Sequence, residues 1–426
     1  MKKLLNLFSG NFLLKGSLIV FVGSVLSNFG SYLFHLIMGR LLGPVDYGVL
    51  ESLISLAYFL AIPMGVLGIT VVKYISQNSK EKNLISLFLT SMTKKVTFWG
   101  LSVLLIFFFL FPLMKNLVKI NSFFLFFGLG ISSFFSVYIT IFSSALQGVM
   151  KFVHLSVFNV FNIWIKLIIS VVLVLCGFKV GGAVYGGVVA AVVSILFGYF
   201  LVAKCLKLDL KRVFKTKNPL PRLSSYSFTV FISNLSLTSY YTVDIILARY
   251  FLPPLAAGQY ASLSVLGKIV FFASSPIVSV MFPMVSEKQS KGEDYRKLFW
   301  FSFSVVLAIS LTIGAVYFIF PKQMIGFLFG NSFLGASGNL GLFAVFISIY
   351  SICSLLMNFY LSIFKSKPIF LSFIFAVSQI ILILFFHQSI GQIVRVNIGV
   401  LFLLTLMLLT FFPGKFLQRD RKMIQS

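Results

Sequence analysis

Apolar residues run along this chain in long unbroken stretches, while polar ones gather in the gaps and in narrow stripes. Leu101 to Leu113 and Val400 to Phe412 contain no charged residue at all. A helix needs about 20 mainly apolar residues to cross a bilayer, and twelve segments meet that need. Six lie in the first half, at 15–39, 46–72, 92–113, 121–146, 153–176 and 180–203. Six lie in the second, at 225–250, 257–284, 296–320, 338–363, 368–386 and 391–413. The expected fold class is an all-α polytopic membrane protein, and no water-soluble domain fits between the spans.

The pattern also repeats. GRLLGPVDYGVLESL at 39–53 returns as ARYFLPPLAAGQYASL at 248–263, matching Arg40 to Arg249, Pro44 to Pro254, Gly48 to Gly258 and Leu53 to Leu263. Pro63 in FLAIPMGV has a counterpart in Pro276 of FASSPIVS. The interval is close to half of the 426 residues, the signature of a chain built from two copies of one membrane unit. An even number of spans per copy returns the chain to its starting side, so the two six-helix repeats should be parallel and surround a central cavity. The expected organisation is a lobe over 1–203, a basic linker over 204–224, a second lobe over 225–413 and a basic tail over 414–426. The first span follows Lys15 with no small-residue cleavage site behind it, and is read as retained rather than as a signal peptide.

Hydrophobic residues make up 59% of the chain and charged ones 10%, with a mean hydropathy of +1.03, which excludes an ordinary soluble domain. The net charge of +26 raises nucleic acid as a partner, and the placement of the charges argues against it. With the N-terminus and every even-numbered connection in the cytoplasm, cytoplasmic segments hold 26 of the 35 Lys and Arg. Outer connections hold only Arg40, Lys115, Lys119, Lys179, Arg249, Lys322 and Arg395. That asymmetry is the positive-inside rule, and it places both termini in the cytoplasm of a multi-pass cell-membrane protein. Cys176, Cys205 and Cys353 have neither disulfide nor metal spacing, and a packing role suits them.

Two cations remain inside spans. Lys166 shares a helix face with Asn159, Asn162 and Ser170, and Lys268 lies four residues after Ser264. An ammonium in mid-membrane is a natural partner for an anionic ligand; snorkelling of its long stem to the interface is the alternative. The first span carries Ser24, Asn28, Ser31 and His35 along one face, and the seventh carries Ser233, Ser236, Tyr240 and Asp244. Polar faces in lipid must look at protein or water, so these two are expected to meet across the cavity. Asp244 reads either as a proton or sodium site or as half of a fixed ion pair with Arg249 or Lys268. Glu51 is expected near the outer end of its span, within reach of water. His35 reads equally as an ion-coupling group or as a hydrogen-bonded packing histidine. Arg40 and Arg249 suit interface anchoring or substrate contact, and Pro63 and Pro276 suit hinges beside the site or simple packing kinks.

GRLLGPVDYG after a first span resembles the polysaccharide-biosynthesis, or Wzx-type, oligosaccharide flippases of the multidrug/oligosaccharidyl-lipid/polysaccharide exporter superfamily. SALQGVMKF, ending at Phe152, and GQYASLSVLGKIVFFASSPIVSVMFPMVSE at 258–287 strengthen the likeness. The resemblance implies a flippase that turns over a polyprenyl-(pyro)phosphate-linked oligosaccharide by alternating access, for cell-surface polysaccharide export. It implies no enzymatic activity and no cofactor beyond H+ or Na+ as a coupling ion. The implied partners are the lipid-linked oligosaccharide, membrane lipids and other polysaccharide-assembly proteins. On that reading Lys166, Lys268, Arg40, Arg249, Asn162 and Asn28 contact substrate, Asp244 and His35 couple an ion, and Pro63 and Pro276 are hinges.

Two other readings stay open. A cation-coupled multidrug exporter of the same superfamily wants acids facing organic cations, and the nine acids here lie mostly in loops. A membrane polysaccharide polymerase or ligase wants a sizeable outer loop with catalytic residues. The outer loops are short, and the sequence holds no nucleophile elbow, phosphate loop, metal motif or paired carboxylates.

Overall fold

In the computed structural model the described residues are 12–78, 81–206 and 225–413. The first lysines, nearly all of the 204–224 linker and the 414–426 tail lie outside them. Among the described residues the chain is helical, without strands. It contains ten helical stretches long and apolar enough to cross a membrane. Two of these, Leu18–Gln77 and Phe152–Cys205, run to 60 and 54 residues. At about 1.5 Å per residue each is long enough for two passes.

Both long stretches bend where the sequence supplies a glycine. Helix α1 (Phe12–Gln77) changes direction at Gly43, whose φ of 71° and ψ of 174° lie outside the helical region. Gly177, at φ 93°, does the same in the π-helical turn Val174–Phe178. That turn joins α5 (Phe152–Leu173) to α6 (Lys179–Leu206). A side chain at either φ would be strained, so glycine is what lets the chain turn there.

The chain divides into two compact units: residues 1–42 with 56–222, and residues 43–55 with 223–426. The first copy of the repeated motif therefore packs with the second unit. In the first unit, α4 (Phe123–Gly148) and α5 pack on α6, and α2 (Lys82–Phe109) packs on α4. The short α3 (Phe111–Val118) follows α2. The first part of α1 lies on α5, where Ser156 Oγ donates to the Ile19 carbonyl (3.1 Å) and Trp164 Nε1 to that of Leu26 (3.3 Å). A core of Val71, Ile75, Phe88, Ile141, Leu146 and Phe158 closes this unit.

The second unit is built around α12 (Ser337–Ser362), flanked by α9 (Pro254–Lys291), α10 (Arg296–Ile319) and α14 (Ile390–Thr410). Helix α13 (Lys367–Phe385) packs on α7 (Ser225–Tyr240) and on α14, and the short α11 (Pro321–Leu328) follows α10. Proline opens α9 and α11, where a missing N–H costs nothing.

The expected continuous span over 225–250 is broken. Helix α7 ends at Tyr240 and α8 runs Val243–Phe251, with Thr242 at φ −128° between them. Further along, the two motif copies touch. A Cβ on Gly48 would lie 3.0 Å from the Cα of Gly258, and one on Gly258 would overlap the Pro44 carbonyl. Only glycine at both positions permits this backbone approach.

Candidate functional site

The break between α7 and α8 exposes backbone groups that a continuous helix would pair with each other. The Tyr240 carbonyl, which would otherwise accept from residue 244, instead accepts from Gln379 Nε2 of α13 at 3.1 Å. Asp244 falls in the first turn of α8, where helix N–H groups and the macrodipole favour a carboxylate. Its Oδ1 accepts from the Ile245 N–H at 2.9 Å. Its Oδ2 accepts from Tyr260 Oη of α9 at 2.6 Å and from Asn397 Nδ2 of α14 at 3.3 Å.

The network has a fixed sense. Gln379 Nε2 donates to Asn397 Oδ1 at 2.8 Å, which turns the Asn397 amide nitrogen toward Asp244 and Tyr260. The Tyr260 hydroxyl accepts from Asn397 at 3.2 Å, leaving its own proton for Asp244. Asp244, Tyr260, Gln379 and Asn397 are all fully buried. Beside it Tyr240 Oη donates to the Ser372 carbonyl at 2.6 Å, tying α7 to α13.

Lys268 stands two turns beyond Tyr260 on the same face of α9 and is 5% exposed. Its ammonium lies 5.5 Å from the centre of the Tyr241 ring. Two carboxylates act on its charge, Glu51 most strongly and Asp244 next. Glu51, expected within reach of water, is fully buried. The approach of Gly48 to Gly258 brings its helical segment onto α9 and shields it from solvent. Arg249, in the last turn of α8, is 8% exposed with Asp46 as the carboxylate acting on it.

In the first unit a different group forms on α5. Lys166 is half-buried, with Nζ 4.6 Å from the ring centre of Phe34 on α1, within cation–π range. His35 is buried and meets the same ring edge-on at 5.6 Å. Phe34 thus links Lys166 and His35, residues far apart in sequence. Asn162 is half-buried one turn before Lys166, while Asn159 accepts from Ser143 of α4 at 3.2 Å. Ser170 belongs to packing: its hydroxyl donates to the Ala183 carbonyl of α6 at 3.2 Å. Asn28 and Arg40 are exposed.

The two prolines sit inside helices. Pro63 borders an apolar cavity of about 240 Å³ lined also by Met64, Leu67, Trp99, Phe107 and Phe134. Pro276 withholds the N–H that would pair with the Phe272 carbonyl, and the neighbouring Ser275 hydroxyl donates to that carbonyl instead at 3.1 Å. Among the described residues no group of three His, Cys, Asp or Glu is placed to hold a metal ion.

Sequence reading did not assign Tyr260, Gln379, Asn397 or Glu51. Its signal for Gln379 and Asn397 was present, a lone amide deep in an apolar helix (SQIILILFF and VRVNIGV). Tyr260 carried none, because a tyrosine in an apolar run reads as filling.

Long apolar helices with charged residues and a break inside them define a polytopic membrane protein. The model of the polysaccharide biosynthesis protein family matches residues 37–338. The chain belongs to that family. It is 24% identical over 297 residues to an uncharacterised membrane protein of Methanocaldococcus jannaschii, covering 65% of this chain and 68% of that one. It is 27% identical over 167 residues to a probable low-salt glycan biosynthesis flippase of Haloferax volcanii, covering 39% of this chain and 34% of the relative.

Its fold is shared with an inward-facing multidrug resistance transporter of the MATE family (TM-score 0.74, 13% identity, 89% of this chain and 94% of that one). It is shared equally with the lipid II flippase MurJ in an inward closed conformation (TM-score 0.73, 15% identity, 92% and 87%). At these identities the likeness is one of fold.

Proposed function

We propose that this chain is a flippase that carries a polyprenyl-(pyro)phosphate-linked oligosaccharide from the cytoplasmic to the outer leaflet by alternating access. The cargo serves a cell-surface polysaccharide. Family membership supports the reading, as does the similarity to a glycan biosynthesis flippase. The observation that carries it furthest is Lys166, an ammonium in the middle of an apolar helix with part of its surface open. Lys268, by contrast, is enclosed with two carboxylates. A half-buried ammonium away from bulk water attracts a phosphate more strongly than a surface lysine does.

In this reading Lys166 and Asn162 hold the phosphates or acidic sugars while the polyprenyl tail stays in lipid. Lys268, Arg249, Arg40 and Asn28 are the further substrate contacts of this reading. Asp244 and His35 take part in coupling to H+ or Na+, and Pro63 and Pro276 let their helices bend during the cycle. Twelve passes follow if each long helical stretch crosses twice, at the Gly43 and Gly177 bends. The charge asymmetry then puts both termini in the cytoplasm.

The test uses a strain lacking this chain but keeping its sugar-assembly enzymes, and sealed inside-out vesicles made from it. Glycosidase added outside such vesicles reaches only the cytoplasmic leaflet. The lipid-linked oligosaccharide should be digestible without the protein and protected once the wild-type gene returns. Lys166→Ala should leave it digestible although the protein is present and folded. Protection in the deletion strain would remove the flippase reading and turn attention to drug export or a later assembly step.

A further inference from the structure

The apolar cavity beside Pro63 belongs wholly to the first unit. The second part of α1 contributes Leu60 and Met64, α2 contributes Trp99 and Val103, and α4 contributes Phe134 and Val137. Its floor comes from close packing. Gly100 lets the Phe134 ring lie against α2, where a Cβ would come within 2.9 Å of it. Its mouth is open, with Trp99 and Val103 at 66% and 54% exposed. In a chain that crosses a membrane, so apolar an opening faces hydrocarbon rather than water. The polar groups beside it pair within the protein. Thr97 Oγ1 and Tyr138 Oη are 2.6 Å apart, tying α2 to α4, and the Ser136 hydroxyl donates to the Ser133 carbonyl at 2.6 Å. The volume of about 240 Å³ lies below the roughly 300–1,000 Å³ of sites that enclose whole small molecules. It suits a hydrocarbon chain.

A second observation lies on the same helix. Lys95 stands one turn before Trp99, so the row Lys95, Trp99, Val103 leads from a cation along one face of α2 into the cavity. Lys94 is its neighbour, and both lysines are exposed. From Val96 to Met114 the chain carries no charge, close to the ~20 residues of one crossing. The two lysines therefore mark an edge of the hydrocarbon layer, the level at which head-group phosphates lie. Residues 56–77, α2 and α4 hold no Asp or Glu, so the walls of the cavity carry no group that repels an anion.

We propose that this groove seats one hydrocarbon chain of an anionic membrane phospholipid, whose phosphate is held by Lys95 and Lys94. The occupant is a resident lipid of the bilayer and not the carrier of a transported sugar. In the flippase reading the carrier's phosphates go to Lys166, which lies on α5 against Phe34 in the first part of α1. The groove uses the second part of α1 with α2 and α4. The site requires only that the chain cross a membrane, and it stands whether or not the protein is a flippase.

Native mass spectrometry of the purified, delipidated full chain in detergent tests it, with phosphatidylglycerol or phosphatidylcholine of identical chains added. Phosphatidylglycerol should be retained at the lower concentration. Lys95→Gln should weaken its binding roughly fivefold, the effect of one lysine at an anionic lipid surface, and leave phosphatidylcholine unchanged. Val103→Phe, which fills the slot from an exposed position, should displace both. With Trp164 and Trp300 replaced by phenylalanine, one equivalent of phosphatidylglycerol with brominated chains should quench the fluorescence of Trp99, and Val103→Phe should abolish the quenching. Equal retention of the two phospholipids would overturn the proposal, as would phosphatidylglycerol binding left unchanged by Lys95→Gln or by Val103→Phe. If equimolar undecaprenyl phosphate restores the Trp99 fluorescence, the groove belongs to a sugar carrier's tail and the proposal falls. Should the tryptophan replacements not fold, retention by the wild type and by Lys95→Gln, a change at an exposed side chain, decides alone.

Discussion

Replacing Gly258 by alanine should unlock the contact between the two motif copies. The new methyl would overlap the Pro44 carbonyl oxygen and lie 3.0 Å from the Pro44 Cα, against about 3.5–4.0 Å for comfortable carbon contacts. The obstacle is backbone on both sides, so no rotamer change relieves it; one helix must move off the other. Overpacking of this kind costs roughly 1–3 kcal/mol and occasionally more, and a clash with backbone belongs at the upper end, about 3 kcal/mol. For a unit of roughly 200 residues that corresponds to a fall in melting temperature of about 6–12 °C. Gly48→Ala meets the Gly258 Cα at 3.0 Å and should cost less. The two should not add, because the gap opened by the first accommodates the second.

Gly399→Ala is the control: its Cβ would have nothing within 4 Å, and alanine favours a helix by about 0.5–1 kcal/mol. Cys353, 0% exposed in α12 of the same unit, provides the readout. With Cys176 and Cys205 replaced by serine, labelling by a thiol-reactive dye during heating reports the opening of this unit. The expected order of melting temperatures is Gly399→Ala at or above wild type, then Gly48→Ala, then Gly258→Ala. A Gly258→Ala protein that melts with the control would refute the close approach and, with it, the shielding of Glu51.

Tyr260→Phe removes the shortest hydrogen-bond partner of the buried Asp244 carboxyl and should cost about 1.5–3 kcal/mol; the same dye assay should find it, and an unchanged melt would mean this hydrogen bond does not hold α8 to α9. Ser275→Ala leaves the Phe272 carbonyl beside Pro276 without its donor and should cost about 0.5–1.5 kcal/mol, unlike Ser279→Ala, whose acceptor carbonyl also has a helical partner. At the loop before α10, hydrogen bonds from Arg296 hold the Asp294 carboxyl below its usual range. A depressed carboxylate stabilises above its unfolded pKa and loses that effect as pH falls through the folded one, so any gap between wild type and Arg296→Gln should close in acid; a gap that widens there would reverse the sign.

Hydrophobic pattern made the membrane class legible, because lipid enforces helices wherever a long apolar run occurs. It also located the bends at Gly43 and Gly177, which fall in the gaps between expected spans. The break at Tyr241–Thr242 was not legible, since SYSFTVFISNLSLTSYYTVDIILARYF has helical polarity throughout and no glycine or proline. What makes the break tolerable comes from elsewhere: Gln379 caps the freed Tyr240 carbonyl, and Asn397 and Tyr260 receive Asp244. Such partners are separated from the break by up to 153 residues, and no local window reports them. Glu51 was misplaced for the same reason. Its position near a helix end suggested water, whereas a glycine-to-glycine approach three residues earlier buries it.

The two stripes that match in sequence differ in structure, and the difference bears on mechanism. Through His35 the first part of α1 stays helical, with non-helical geometry only at Gly43. Its polar side chains are therefore all that the stripe offers to a ligand. At the matching place in the second unit the helix is interrupted, and its backbone groups are drawn into a closed network around Asp244. A closed network in which each donor already has its acceptor has little left for a bulky head-group, but it responds strongly to the gain or loss of one proton. A half-buried Lys166 beside Phe34 is the opposite case, a charge with open surface and no carboxylate on its own helix. On the proposed reading, the site in the first unit suits an anionic cargo and that in the second a small cation. The variants divide accordingly: on the proposed reading Lys166→Ala should change how much oligosaccharide is carried whatever the gradient, and Asp244→Asn only how far a gradient accelerates it. If both variants instead lowered transport in the same proportion with and without a gradient, this division of labour would be wrong.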